Sequence, residues 1–266
     1  LLASGVDVIL DTNDDPIFAN TVNDVVEVPL EEGLTDQALV AAGSLSVWDT
    51  DLFNTVSVEV TGLDVLVDEE IQSLLPETDT LLGMFNLVGA TEHLNPHVES
   101  NVHWTFDSED VGFDYLAQGE TLTLIYTVTA TDSSPEAATV SQTITITITG
   151  TNDLPVIEVL DSDSGVPDDS VSADLIESDT GLMTSGTLTV TDVDFTDVVS
   201  FETTSVEIDT NNNDVLLDLL PVNADLMAML TMETVDANVG DQHNATWVFD
   251  SYAETFDYLA EDEVVT

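Results

Sequence analysis

Apolar and polar residues alternate along two long stretches near the middle of the chain. In Glu120-Thr-Leu-Thr-Leu-Ile-Tyr-Thr-Val-Thr-Ala130 the apolar positions recur at every second residue. In Thr139-Val-Ser-Gln-Thr-Ile-Thr-Ile-Thr-Ile-Thr149 the alternation is nearly perfect, with Ile144, Ile146 and Ile148 on one face and threonine on the other. A period of two is that of a strand with one buried face. Asp132-Ser-Ser-Pro135 between them reads as a turn, so the pair is a β-hairpin. Shorter strands are predicted at Val25–Val28, Gly43–Trp48 and Thr55–Thr61. Asp79–Leu87 departs from this pattern: Leu81, Leu82, Met84 and Phe85 fall at near-helical spacing and predict a short helix, with Asp225–Met232 as its partner. Short strands joined by turn signals predict an all-β protein built as a sandwich, with a short helix per repeat.

The pattern occurs twice. Gly43-Ser-Leu-Ser-Val-Trp-Asp-Thr-Asp51 returns as Gly186-Thr-Leu-Thr-Val-Thr-Asp-Val-Asp194, Trp104-Thr-Phe-Asp-Ser108 as Trp247-Val-Phe-Asp-Ser251, and Phe113-Asp-Tyr-Leu-Ala117 as Phe256-Asp-Tyr-Leu-Ala260. All three pairs share an offset of 143, as from Gly43 to Gly186. Thr12-Asn13-Asp14 returns as Thr151-Asn152-Asp153 at a slightly shorter offset, as loop insertions and deletions require. The repeats are out of phase with the chain. Residues 1–15 read as the last strand and linker of a preceding repeat, 16–154 as a complete β-sandwich repeat, and 155–266 as a second repeat that stops before its last two strands. The first residue is not Met and no signal peptide is visible, so the chain is expected to be an internal piece of a longer protein.

Composition narrows the chemistry. The 266 residues include 54 Asp and Glu but no Lys or Arg, a formal net charge of -54. Without Lys or Arg there is no Schiff-base lysine and no arginine clamp. Phosphate neutralisation fails as well, which argues against nucleic acid and anionic membrane surfaces as partners. No apolar run reaches the roughly 20 residues of a membrane-spanning helix, so direct membrane insertion is not expected. The acidity does not predict disorder, because 43% of the residues are hydrophobic, with nine Phe, four Tyr and three Trp. The absence of Cys excludes disulfides and thiolate sites. The carboxylates thus lack a protein cation, and hard divalent metals are the natural counter-ions for oxygen ligands.

Several segments resemble one family. Trp104-Thr-Phe-Asp107, Phe113-Asp-Tyr-Leu-Ala-Gln-Gly-Glu-Thr-Leu-Thr-Leu-Ile-Tyr-Thr-Val128 and Gln142-Thr-Ile-Thr-Ile-Thr-Ile-Thr-Gly-Thr-Asn-Asp-Leu-Pro155 are similar to the VCBS repeat, and Gly186–Asp194 to its earlier strand. That resemblance implies a cadherin-like, Ig-like module used in tandem in giant bacterial surface adhesins of the RTX type. It also implies dependence on calcium. Asp11-Thr-Asn-Asp-Asp-Pro16 resembles the cadherin inter-domain sequence D-x-N-D-N-x-P, and Gly150-Thr-Asn-Asp-Leu-Pro155 repeats the element. Asn13, Asp14, Asp15, Asn152 and Asp153 are therefore candidate calcium ligands. The pairs Asp49/Asp51 and Asp192/Asp194 are a second component, because residues two apart in a strand point to the same side. Glu31, Glu32 and Glu177 are candidates to complete the shell.

Other features carry less. His93 and His97 are four apart, but Pro96 intervenes and the second repeat has Asp236 and Gly240 in their place, which favours a plain surface loop over a zinc site. Trp104 and Trp247 read as core residues, Asp161–Asp169 as an oxygen-rich loop, and Asn244-Ala-Thr246 as a glycosylation sequon by letter only. No catalytic constellation stands out, so the chain is not expected to be an enzyme. The leading expectation is an extender of an extracellular bacterial adhesin, rigidified by Ca2+ and contacting neighbouring repeats of its own chain. Two alternatives remain: a subunit of a filament assembled by strand exchange between copies, with Leu1–Leu10 as the donated strand, and a carbohydrate-binding module using the loops of 62–101.

Overall fold

The computed structural model describes residues 12–266 apart from 22–24, 33–36, 52, 89–90, 93–97, 161–167 and 212. The strand expected at Leu1–Leu10, the His93/His97 loop and most of Asp161–Asp169 lie outside the described residues. The chain divides into two compact units, the first running to Asn152 and the second from Asp153 to Thr266. The fold is all-β.

In unit 1 the alternating stretches become β9 (Thr121–Asp132) and β10 (Thr139–Thr149), an antiparallel hairpin with Thr131 opposite Thr139. They are the centre of a five-stranded sheet in the order β2 (Glu27–Glu31), β10, β9, β5 (Val56–Leu66), β7 (Thr91–Glu92). β2 runs parallel to β10; the other pairings are antiparallel. A second sheet joins β3 (Val40–Leu45), β8 (Val102–Asp107) and β6 (Phe85–Val88), and β1 (Ile17–Phe18) pairs with β4 (Val47–Trp48). The side chains that alternate inward in the sequence meet between the sheets. Leu122, Leu124, Tyr126, Val128, Ile144, Ile146 and Ile148 are fully buried. Tyr126 of β9 stacks on Phe85 at 4.5 Å and lies tilted to Phe106 of β8. Its hydroxyl donates to the carbonyl of Leu81 at 2.8 Å, so its polar end is satisfied inside the core.

The helix expected at Asp79–Leu87 is shorter. α1 spans Thr78–Gly83, and Phe85–Val88 is strand β6. Helical spacing and strand pairing compete here, and pairing with β8 wins because it buries Phe85 between Trp104 and Tyr126. The same correction holds for Asp225–Met232, where a helix over Asn223–Ala228 is followed by a strand over Leu230–Met232.

Unit 2 contains β11 (Val156–Glu158), β12 (Met183–Thr191), β13 (Val198–Val199), α2 (Asp214–Leu217), α3 (Asn223–Ala228), β14 (Leu230–Met232), β15 (Val235–Asp236) and β16 (Ala245–Asp250). Its main sheet has the order β11-β12-β16-β14, and β13 pairs with β15. These pairings repeat unit 1. Gly186 lies opposite Trp247 as Gly43 lies opposite Trp104, and Leu230 opposite Phe249 as Phe85 opposite Phe106. Two segments differ. Residues 170–174 and 200–209 correspond to β2 and β5, yet neither forms a strand. Their counterparts in unit 1 pair with β10 and β9; at the repeat offset of 143, unit 2 holds only the start of a β9 equivalent, with Thr266 at the place of Thr123.

Candidate metal centre

Unit 1 gathers its expected ligands around the turn after β4. The backbone N–H of Asp51 donates to Oδ1 of Asp49 at 2.8 Å, and that of Asp14 donates to Oδ2 of Asp51 at 2.9 Å. The hydroxyl of Thr50 donates to Oδ2 of Asp14. Asn13 donates through Nδ2 to Asp132 at 2.7 Å and accepts at Oδ1 from Asn54. Unit 2 repeats the core of this network. The N–H of Asp194 donates to Oδ1 of Asp192 at 3.1 Å, and that of Asp153 donates to Oδ2 of Asp194 at 2.8 Å. The N–H of Asp197 reaches the carbonyl of Asp194 as the N–H of Asn54 reaches that of Asp51.

Asp49 of the first pair and both members of the second are buried, and Asp51 is half-buried. Asp49 is 2% exposed and Asp194 0% exposed. Among the described residues, Oδ2 of Asp49, Oδ1 of Asp194 and Oδ1 of Asn238 are buried without a hydrogen-bond partner. Burial raises the Asp49 carboxyl above its usual range, and the charges of Asp51, Asp132 and Asp14 add to the rise. Asp192 is raised by burial and by Asp197. Asp194 is raised most, to about 6, chiefly by burial and further by the carboxylates of Asp192, Asp197 and Asp153. Burial and neighbouring like charge both act against the ionised form of these carboxyls. Asp132 goes the other way: burial acts to raise it, but hydrogen bonds from Asn13, Ser134 and Ala138 outweigh that and lower it.

The remaining expected residues are placed differently. Asp15 and Asn152 are exposed. Glu32 is buried beside its own unit's terminal segment, where Oε1 accepts from the N–H and hydroxyl of Thr151 at 2.8 and 2.9 Å while Oε2 has no partner. Glu31 is exposed, and Glu177 is exposed on the lining of an apolar groove in unit 2. Asn54, Asp132 and Asp197 lie in these networks although they are not among the ligands expected from the sequence. Asn54 and Asp197 share the repeat offset of 143 and follow the aspartate pairs by three residues, a signal that was present. Asp132 carries no such signal, because in the sequence it reads as part of a turn. Among the described residues, no three His, Asp or Glu side chains converge as a finished metal cage. Unit 1 instead offers the buried Asp49 and the half-buried Asp51 with Asn13 and Asn54, and unit 2 the buried Asp192 and Asp194 with Asn238.

The histidine and the sequon resolve in structural terms. His243 contacts Asp169 through Nδ1 at 2.8 Å. Asn244 accepts from the N–H of Val190 and donates to its carbonyl, both at 2.9 Å, and Asn101 clamps Val47 in the same way. The Asn244 amide is thus engaged as a strand clamp.

No family model matches the chain, and no curated protein matches it. Solved structures with some likeness include the extracellular domain of protocadherin GammaB4, at 15% identity and a TM-score of 0.39 over 93% of this chain and 31% of that one. A human CDH23 EC21-23 fragment has 13% identity and a TM-score of 0.31 over 97% of this chain and 65% of that one. AggA, the major subunit of aggregative adherence fimbriae type I of Escherichia coli, has 13% identity and a TM-score of 0.30 over 53% of this chain and 99% of that one. The chain spans less than a third of the protocadherin ectodomain. At these identities and TM-scores no function passes from those proteins to this chain, and the all-β class rests on its own strands.

Proposed function

We propose that the chain is a structural extender from a bacterial extracellular adhesin, whose repeats are stiffened by Ca2+ bound at the aspartate turns. One observation carries this reading: the same hydrogen-bonded turn is built twice, around Asp14, Asp49 and Asp51 and around Asp153, Asp192 and Asp194, and each copy contains a buried carboxylate oxygen without a partner. Repetition at corresponding positions is expected of a feature belonging to every module of an array, and is unusual for a catalytic site. The donors are all oxygens, which suits Ca2+. Asp49 and Asp51 would supply carboxylates in unit 1 with Asn13 and Asn54 as neutral donors; Asp192 and Asp194 would do so in unit 2. Without the ion, repulsion among these carboxylates loosens the turns. With it, the buried charge is compensated.

Extracellular calcium modules have dissociation constants on the order of 0.1–1 mM. At tenfold excess over that constant each site adds about 1.4 kcal/mol. The test is thermal unfolding followed by tryptophan fluorescence in EDTA and across a calcium titration, with size-exclusion chromatography alongside. A calcium-dependent rise in Tm with monomeric elution is expected. An unchanged Tm at 10 mM calcium overturns the metal assignment.

A further inference from the structure

Unit 2 carries an apolar groove of about 620 Å³. Its walls include Leu188, Trp247 and Phe249 from the sheet, Leu226 and Leu230 around α3, and Val206 from the unpaired segment 200–209. Unit 1 shows what fills this place. The counterparts of Leu226, Leu230 and Phe249 are Leu81, Phe85 and Phe106, and all three meet Tyr126 of β9. The contrast in burial follows. Leu45 and Leu116 are 1% and 0% exposed in unit 1, whereas their counterparts Leu188 and Leu259 are only half-buried.

The backbone defines the register. In unit 1, β5 and β9 pair with Leu66 opposite Thr123. At the same offset of 143, Asp209 and Thr266 exchange both backbone hydrogen bonds, at 2.7 and 3.0 Å. This is the first rung of the β5–β9 ladder, already formed in unit 2. Beyond it, residues 201–208 alternate in two runs, with Phe201 half-buried beside exposed Glu202 and Val206 and Ile208 half-buried around exposed Glu207; the phase shifts at Thr204–Ser205 as that of β5 shifts between Val60 and Gly62, and no partner strand is paired with them. On the far side of the groove, residues 170–173 correspond to β2, the strand that borders β10.

We propose that this groove seats a two-stranded β-hairpin of the chemistry of β9–β10, led in through Thr266 and running antiparallel to 200–209. The occupant alternates apolar and threonine residues. It is nearly free of charge, because in unit 1 the whole span from Thr121 to Thr149 carries only Asp132 and Glu136 in a chain of net charge -54. Its inward face must follow the rung at Thr266, since a slip of one residue would turn every apolar side chain outward. The segment Leu1–Leu10 fits this seat poorly: aligned through the Thr12/Thr151 repeat, Asp7 falls where Ile146 is buried.

The test extends the full chain after Thr266 with a copy of residues 124–149. A control carries the same copy with one extra threonine at the junction, which shifts the register. Amide hydrogen exchange is read at 201–208, with sedimentation to give the oligomeric state. The in-register graft is expected to slow exchange at alternate amides of 201–208 at least tenfold while the protein stays monomeric, and the shifted graft to leave them fast. Equal protection by both grafts, no protection by either, or strong protection in the unextended chain each overturns the proposal. Protection that appears only with dimers or polymers also overturns it, in favour of strand exchange between copies.

Discussion

Gly43 lies directly across the β3–β8 pair from Trp104, and a Cβ at Gly43 would stand 2.5 Å from the indole ring. The ring therefore lies flat over a strand position that has no side chain, and its Nε1–H reaches the carbonyl of Val25 at 3.1 Å. Gly186 and Trp247 repeat the arrangement, with Nε1–H donating to the carbonyl of Ser170. Here glycine serves close approach, not an unusual backbone angle. Gly43→Ala forces the buried ring aside and is expected to cost about 1–3 kcal/mol. Urea unfolding of the variant beside the parent protein checks this, and an unchanged midpoint contradicts it.

Asp194→Asn separates a metal role from a purely structural one. The amide oxygen of Asn retains an acceptor for the N–H of Asp153, but the buried charge is gone. In EDTA the variant is expected to be as stable as the parent or more so, since an uncompensated buried carboxylate is removed. In calcium it is expected to be less stable, with a smaller rise in Tm. The same sign in both buffers counts against calcium at this residue.

Asp169 provides the acid-side behaviour of unit 2. Its burial acts to raise the carboxyl, but hydrogen bonds from the Leu160 N–H, His243 and the Thr189 hydroxyl outweigh it and hold it at about 2. A folded value below the unfolded one of about 3.9 means stability that is fully present above pH of about 4 and lost as the pH falls towards about 2. Asp169→Asn removes this contribution. The gap in unfolding free energy between parent and variant is therefore expected to narrow from pH 5 to pH 2, measured by urea titration in EDTA.

The Asn clamps are equivalent in the two units. Asn101→Ala and Asn244→Ala each leave the N–H and carbonyl of a strand residue, Val47 or Val190, without their side-chain partner. A loss of about 1–3 kcal/mol is expected for each from leaving buried groups unsatisfied.

Tyr126→Phe tests the link between the hairpin and α1. The variant keeps the ring stack on Phe85 but leaves the carbonyl of Leu81 unpaired in the core. A cost of about 1–2 kcal/mol is expected, read by denaturant unfolding.

The repeat, the alternating hairpin and the charge imbalance were legible in the sequence alone. Period-two patterning specifies which face of a strand is buried whatever it packs on, so Leu122–Ala130 and Ile144–Ile148 needed no tertiary knowledge. Recurrence at a common offset likewise marked Gly43, Trp104, Asp49 and Asp51 together with their partners. Tertiary structure decided the rest. It ended the helix at Gly83, because Phe85 gains more from pairing and stacking than from another helical turn. It buried Glu32 and Asp194 while leaving Glu31 and Glu177 exposed, a choice made by neighbours distant in sequence. It also brought Asn13 to Asp132, 119 residues away. Above all, it showed that 200–209 forms no strand although its counterpart β5 does. A strand is completed by its partner, and a pattern read along one segment cannot say whether that partner is in place.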